Sequence, residues 1–430
     1  MRYATTALSA CGIALCFLIP AAQAGDVRVN CQSHGAKGQI GKVLNGLDPA
    51  ATNVVHVSGH CHENLVIQGF DRLSLIAEHG AAIEDASSGR LPVVHVKDSQ
   101  RVVIQGFTIQ GGSNGVLCEE ASYCRLTGDT IQDTQHQPGV NAGIVIYQSD
   151  AELTNVVVRN VVDSGIDLWG AKVVVSNVSI SGVANTGVWP NGAGITMSVS
   201  SLRDGPITVQ DADGDAVLAI NNSTLDVNTL TATDNGAGVD LETGSVGNFY
   251  AQLTVQHNKG HGVIANTGSA VQISGTNTIS DNQGVGIYAL VGSSASFGGT
   301  SVISNNQSFS GILVQSGSVA SMWGTATISN HPGPGIFVQW GSRFSNWGNL
   351  TVTNNQFGLY ATDVSLAVLG GGTFSGNVIT DISCDGPPPA TVLLLADLGS
   401  FTTDCTFPAS ASAKAPKGLT VPTPPVSPPR

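Results

Sequence analysis

A glycine followed by an apolar–x–apolar triplet recurs along this chain. It appears at Gly143-Ile-Val-Ile, Gly165-Ile-Asp-Leu, Gly238-Val-Asp-Leu, Gly262-Val-Ile-Ala, Gly286-Ile-Tyr-Ala, Gly311-Ile-Leu-Val, Gly335-Ile-Phe-Val and Gly358-Leu-Tyr-Ala. From Gly238 the steps are 24, 24, 25, 24 and 23 residues, and Gly143 to Gly165 is 22. Between Gly165 and Gly238 the signal blurs, with Gly187, Gly194 and Gly214 as intermediates. A period of this length with strict alternation holds short strands and tight turns, not helices.

A second series runs in phase. Asn235, Asn258, Asn282, Asn306, Asn355 and Asn377 each follow a Thr/Ser-rich strand, and His331 takes that place in one coil. Asn tolerates left-handed backbone, and its amide can bond the equivalent residue of the next coil, so the series predicts a structural ladder.

Stacking such units gives a single-stranded right-handed parallel β-helix. Coils rise roughly 4.8 Å each, so about 11–13 coils make a rod of roughly 50–60 Å. Gln39 to Leu47 places Ile40, Val43, Leu44 and Leu47 on one helical face, with Asp48-Pro49 as its stop, which predicts a short helix capping the N-terminal core. The expected organisation is a signal peptide over 1–24, an N-terminal cap over 25–53, the β-helix over 54–407 and a disordered Pro-rich tail over 408–430.

The signal peptide reads from Arg2, a short apolar stretch and Ala22-Gln23-Ala24, with cleavage expected after Ala24. No later run is long and apolar enough to predict a membrane span, so the expected location is secreted or periplasmic. Cys31, Cys61, Cys118, Cys124, Cys384 and Cys405 remain after cleavage, an even set that suits three disulfides. Fifteen pairings are formally open. Proximity favours Cys118–Cys124 and Cys384–Cys405, leaving Cys31–Cys61. With 17 Lys+Arg against 30 Asp+Glu, the net charge of −13 argues against a nucleic-acid partner.

The repeat resembles the pectin lyase-like superfamily of right-handed parallel β-helices. That resemblance implies the architecture and a polysaccharide partner, through a lyase, glycoside hydrolase or epimerase, or through a non-catalytic surface module. Of the segments expected of polygalacturonase-like enzymes only Gly260-His261-Gly262 is present, on the repeat's own turn, so His261 reads as a turn residue. The Asp-Pro-His-Asp of the mannuronan epimerases is absent.

Candidate chemistry is read from residues that alternate outward. The first outward position runs Val145, Asp167, Asp240, Ile264, Tyr288, Leu313, Phe337 and Tyr360. Asp240 and Glu242 form a candidate acid–base pair, and Asp211, Asp213 and Asp215 are candidate calcium ligands. An earlier constellation holds His136, Tyr147 and Asp167 as catalytic candidates. Trp169, Trp189, Arg159 and Lys172 join it as sugar-stacking and charge-neutralising candidates. The late stripe from Ile264 to Tyr360 would be an exposed apolar ladder, calling for a loop, the tail, a second subunit or a sugar as cover.

Overall fold

The computed structural model describes residues 25–31, 39–137, 139, 141–386, 390–396 and 398–406. The expected signal peptide and Pro-rich tail lie outside the described residues. Among those described, no helix is long and apolar enough to cross a membrane.

The chain winds as a parallel β-helix. One sheet of 14 strands forms one face, and a sheet of 24 strands wraps the others. Every ladder is parallel, as between Ser164–Trp169 and Ala193–Ser198, where Ile166 pairs Ile195 and Leu168 pairs Met197. The 14 strands of the smaller sheet exceed the 11–13 coils expected, giving a rod of about 60 Å. The extra coils lack the glycine triplet: Leu65–Gln68 and Val94–Lys97 precede its first occurrence, and Asp215–Ile220 falls in the blurred stretch.

Within the coil, Val, Ile and Leu at alternate positions point inward and form one continuous core from Val29 to Leu398. The glycines of the repeat are set by close approach of successive coils. A Cβ on Gly143 would lie 2.7 Å from the Gly165 carbonyl oxygen, and one on Gly286 would lie 2.6 Å from that of Gly311. No side chain fits there.

The asparagine series forms the expected ladder. Asn235 N–H and its amide both donate to Asn258 Oδ1 (3.0 and 3.1 Å), Asn258 repeats this to Asn282 and Asn282 to Asn306, all buried. His331 continues the position, its N–H donating to Asn355 Oδ1 at 3.0 Å. A parallel serine ladder escaped the sequence reading. Ser245 N–H donates to Ser269 Oγ, Ser269 to Ser293, Ser293 to Ser318 and Ser318 to Ser342, at 3.1–3.2 Å. Its signal was present, since Ser245, Ser269, Ser293, Ser318 and Ser342 each follow a Gly with the period of the repeat.

The ends are closed as the sequence suggests. Gln39–Leu44 is helical and buries Ile40 and Leu44, with its Ile40 and Gly41 N–H groups donating to the Glu63 carboxylate at 3.0 Å. The cap segment also carries a strand, Gly25–Asn30, which pairs with Thr52–His62 and so starts the larger sheet earlier than expected. All three favoured disulfides form: Cys31–Cys61, Cys118–Cys124 and Cys384–Cys405, with Cα separations of 5.0, 6.6 and 5.0 Å. Such cross-links persist in oxidising compartments.

Replacing Asn282 by Ala removes the acceptor of the buried Asn258 N–H and amide, along with its own bonds to Val255 O and Asn306. The expected loss is about 2–4 kcal/mol in urea unfolding. A loss below about 0.5 kcal/mol would show that water replaces the ladder.

Candidate functional site

The first outward column of the smaller sheet runs through consecutive coils as Leu117, Val145, Asp167, Thr196, Leu218, Asp240, Ile264 and Tyr288. Asp167 and Asp240 are therefore three coils, about 14 Å, apart on one face. Asp167 of the earlier constellation and Asp240 of the later one share a single surface.

Asp167 departs from the exposed position expected of it. It lies between Val145 and Thr196, the Trp169 indole donates to its Oδ1 at 3.0 Å, and its exposure is 0%. Its Oδ2 is buried without a hydrogen-bond partner. Burial pushes its carboxyl up to about 7, against the opposing pull of the Trp169 and Leu168 N–H groups. Trp169 meets Trp189 edge-on at 5.6 Å and is the cross-coil partner of Tyr147, while Tyr147 and Trp189 are each 42% exposed. These three aromatics form a platform beside a buried acid.

The loop bearing Trp189 is tied to a second polar group. Asp163 is fully buried at φ +63°, accepting from Asn141 Nδ2 at 2.9 Å and from the Thr186 hydroxyl. His136 Nδ1 lies 2.8 Å from Thr186 Oγ1 and 3.3 Å from Asp163 Oδ2. Thr186 thus joins His136 and Asp163, while Trp189, three residues on, reaches Trp169. Asp163 and Thr186 hold this loop, and neither is among the catalytic or binding candidates read from the sequence.

The other acids gather farther along. Burial raises the Asp240 carboxyl to about 8, helped by the charges of Asp215 and Glu242, and Asp240 Oδ1 is buried without a partner. Burial with the Glu242 charge lifts Asp215 to about 6. Asp240 and Glu242 come together as expected, with Asp215 as a third member reached from the preceding coil.

Several expectations are corrected. Arg159 and Lys172 do not reach the aromatic platform. Arg159 donates to Gln132 Oε1 on the larger sheet (3.0 and 2.7 Å), and Lys172 lines a separate cleft there, because each sits on a strand beyond the turn leaving the smaller sheet. Asp211, Asp213 and Asp215 do not converge on a cation. Asp213 accepts the Asn185 N–H at 3.0 Å, and Asp211 is exposed near the end of the strand Ile207–Ala212 with φ +53°. Among the described residues one group of three ligand-bearing side chains converges, Cys31, Cys61 and Glu63, and its sulfurs are joined in a disulfide. The arrangement present does not fit calcium at those three aspartates.

The late stripe is not bare. Leu313 and Phe337 are each 7% exposed, packed with Val285, Tyr288 and Tyr360, and Phe337 stacks on Tyr360 at 5.1 Å and meets Phe309 at 5.3 Å. Consecutive coils bring the rungs into contact, so the stripe covers much of itself. His261 is a turn residue, its Nδ1 accepting the Val285 N–H at 2.9 Å, and burial lowers its pKa.

A family model described as a right handed beta helix region matches residues 114–276 and 212–387. The chain belongs to this family. A cell surface glycoprotein of Methanothermus fervidus is 33% identical over 89 residues, which are 20% of this β-helix chain and 14% of that relative. Among solved structures, the A-module of a mannuronan C-5 epimerase from Azotobacter vinelandii aligns with a TM-score of 0.41 and 13% identity. That alignment covers 86% of this chain and 99% of that one. A family 28 exopolygalacturonase of Yersinia enterocolitica aligns with a TM-score of 0.33 and 10% identity, over 86% and 76% of the two chains.

The raised carboxyls set a pH dependence. The unfolded chain has released these protons by about pH 5, whereas folded Asp240 and Asp167 hold theirs to about 8 and about 7. The native state binds more protons in that window, so stability falls as pH rises through it. Thermal melts at about pH 5 and about pH 9 should show a larger loss for the parent than for Asp240→Asn. Equal losses would mean that Asp240 titrates as a solvated acid.

Proposed function

We propose that this β-helix is an exported protein that engages a polysaccharide along the smaller sheet and hydrolyses a glycosidic bond there. The observation that carries the reading is the platform of half-buried Trp169 with exposed Tyr147 and Trp189 on the same face as Asp240, an acid that burial keeps protonated to about pH 8. Aromatic faces stack on sugar rings, and a carboxylic acid retained at neutral pH can protonate a leaving oxygen. Asp240 is the general acid, and Glu242 is the partner carboxylate, for a water or for covalent attack. A span of about 14 Å between platform and acid suits a few sugar units rather than a monosaccharide.

Hydrolysis is preferred to elimination or epimerisation. Those reactions remove a proton beside a carboxylate and need a cation to neutralise it, and Arg159 and Lys172 stand on the larger sheet instead. A second reading is a non-catalytic cell-surface module that uses the same aromatic platform. The local identity with the Methanothermus fervidus cell surface glycoprotein favours it.

Incubation of the mature protein with neutral and acidic polysaccharides separates the two. Hydrolysis predicts new reducing ends, lost by about 100-fold or more in Asp240→Asn and falling above about pH 8 in the parent. Trp169→Ala and Trp189→Ala should weaken binding by about tenfold. Glycan binding that depends on the two Trp residues, with no reducing ends formed, would replace the hydrolase reading by the surface module.

A further inference from the structure

On the larger sheet, outward residues of four consecutive coils surround a cleft of about 420 Å³. Two columns build it. One runs Tyr123, Asp150, Lys172, Ser201 and Thr224, and the other Arg125, Glu152, Val174, Arg203 and Asp226. The hollow has a packing cause: Val174 and Ser201 are short, and the side chains around them, Tyr123, Glu152, Lys172 and Arg203, are long.

The walls differ in electrostatic state. Glu152 is committed, with Arg125 Nε donating to it at 2.6 Å and the Tyr123 hydroxyl donating to its other oxygen, and these two partners hold its carboxyl below the usual range. Asp226 beside Arg203 takes the Asn248 amide at 2.5 Å and lies 3.4 Å from the Tyr250 hydroxyl. The Lys/Arg ion pairs among the described residues are Arg28–Glu78, Arg72–Asp71, Arg101–Asp71 and Arg125–Glu152. Lys172 and Arg203 are in none of them. Two cations thus face one cleft without an ion-pair partner among the described residues.

Lys172 and Ser201 are cross-coil partners, and Arg203 is two residues along from Ser201 on the same outward face. An ammonium, a hydroxyl and a guanidinium thus converge from two adjacent coils, with the Asp150 carboxylate at the rim. We infer that this cleft is a second ligand site, separate from the smaller sheet, that takes a sugar unit bearing an oxyanion. Lys172 and Arg203 hold the oxyanion, Ser201 donates a third bond, and Asp150 accepts from the ligand's hydroxyls. The volume fits one such unit. The site stands independently of the hydrolase reading, since no residue is shared.

Titration calorimetry of the full chain at low salt tests it with glucuronate, glucose 6-phosphate and inorganic phosphate, and with glucose as the neutral control. The expected result is binding of glucuronate or glucose 6-phosphate that weakens with added salt, with no heat from glucose. Arg203→Ala and Lys172→Ala should each weaken it by about fivefold or more, with Arg203→Lys falling between. Arg159→Ala, whose guanidinium is bonded to Gln132 elsewhere on the sheet, should leave it unchanged. Which of glucuronate and glucose 6-phosphate binds more tightly identifies the oxyanion, and phosphate binding as well as either would overturn the sugar requirement. Equal binding of glucose, or indifference to both cation variants, or no binding by either sugar anion at about 50 mM, overturns the site.

Discussion

A solenoid of one coil per layer has one dominant constraint: each backbone polar group that its own coil cannot satisfy must find a partner in the next coil. Strands meet this through parallel ladders, and turns meet it only in part that way, as where Gly244 N–H donates to Thr267 O and Gly268 N–H to Val291 O. Other turn N–H groups are satisfied by buried side chains acting as backbone surrogates. Asn235 through Asn306 and Ser245 through Ser342 each accept an N–H from the preceding coil. Both devices need the same coil spacing as the strands, and the glycines that let coil backbones meet enforce it. An Asn or Ser at these positions serves two coils at once, so its loss is felt beyond its own turn.

That constraint also explains what was legible in the sequence. Anything repeated in every coil leaves a periodic trace: the glycine triplet, the Asn series and the inward Val/Ile/Leu. The serine ladder left one too, hidden because Ser is common in this chain and its Gly-Ser signature reads as ordinary turn composition. Coils such as Val94–Lys97 fall inside the expected β-helix but close without the triplet glycine, so the coil count came out low. The disulfides were favoured by proximity, which works in a solenoid because neighbours in space are either close in sequence or about one coil apart. Cys384 and Cys405, 21 residues apart, are the second kind.

The candidate site was legible only as a set of residue types. Alternation says that Asp167 points away from the core, but not that Trp169 and the flanking coils bury it. Nor does it say on which side of a turn Arg159 and Lys172 emerge, and both stand on the larger sheet. Thr186 carried no periodic signal, since its loop is irregular. Its role comes from contacts to Asp163 and, across fifty residues, to His136. Periodic positions build the scaffold, and departures from periodicity build the groups that can act.

Charge placement sharpens the contrast between the two faces. Residues at the same column of adjacent coils are about 4.8 Å apart, so like charges there repel and opposite ones attract. The larger sheet obeys this rule, setting Arg125 beside Glu152, Asp150 beside Lys172 and Arg203 beside Asp226. The smaller sheet differs: off that column, Asp240 lies close enough to Asp215 and Glu242 for both charges to raise its carboxyl. Leu218 and Ile264 on either side of Asp240 supply no compensating partner. Poor solvation and nearby negative charge hold the Asp240 proton well above the usual carboxylate range, at a cost in stability when it ionises. The features that weaken this stretch of the rod are the ones on which the proposed hydrolysis draws.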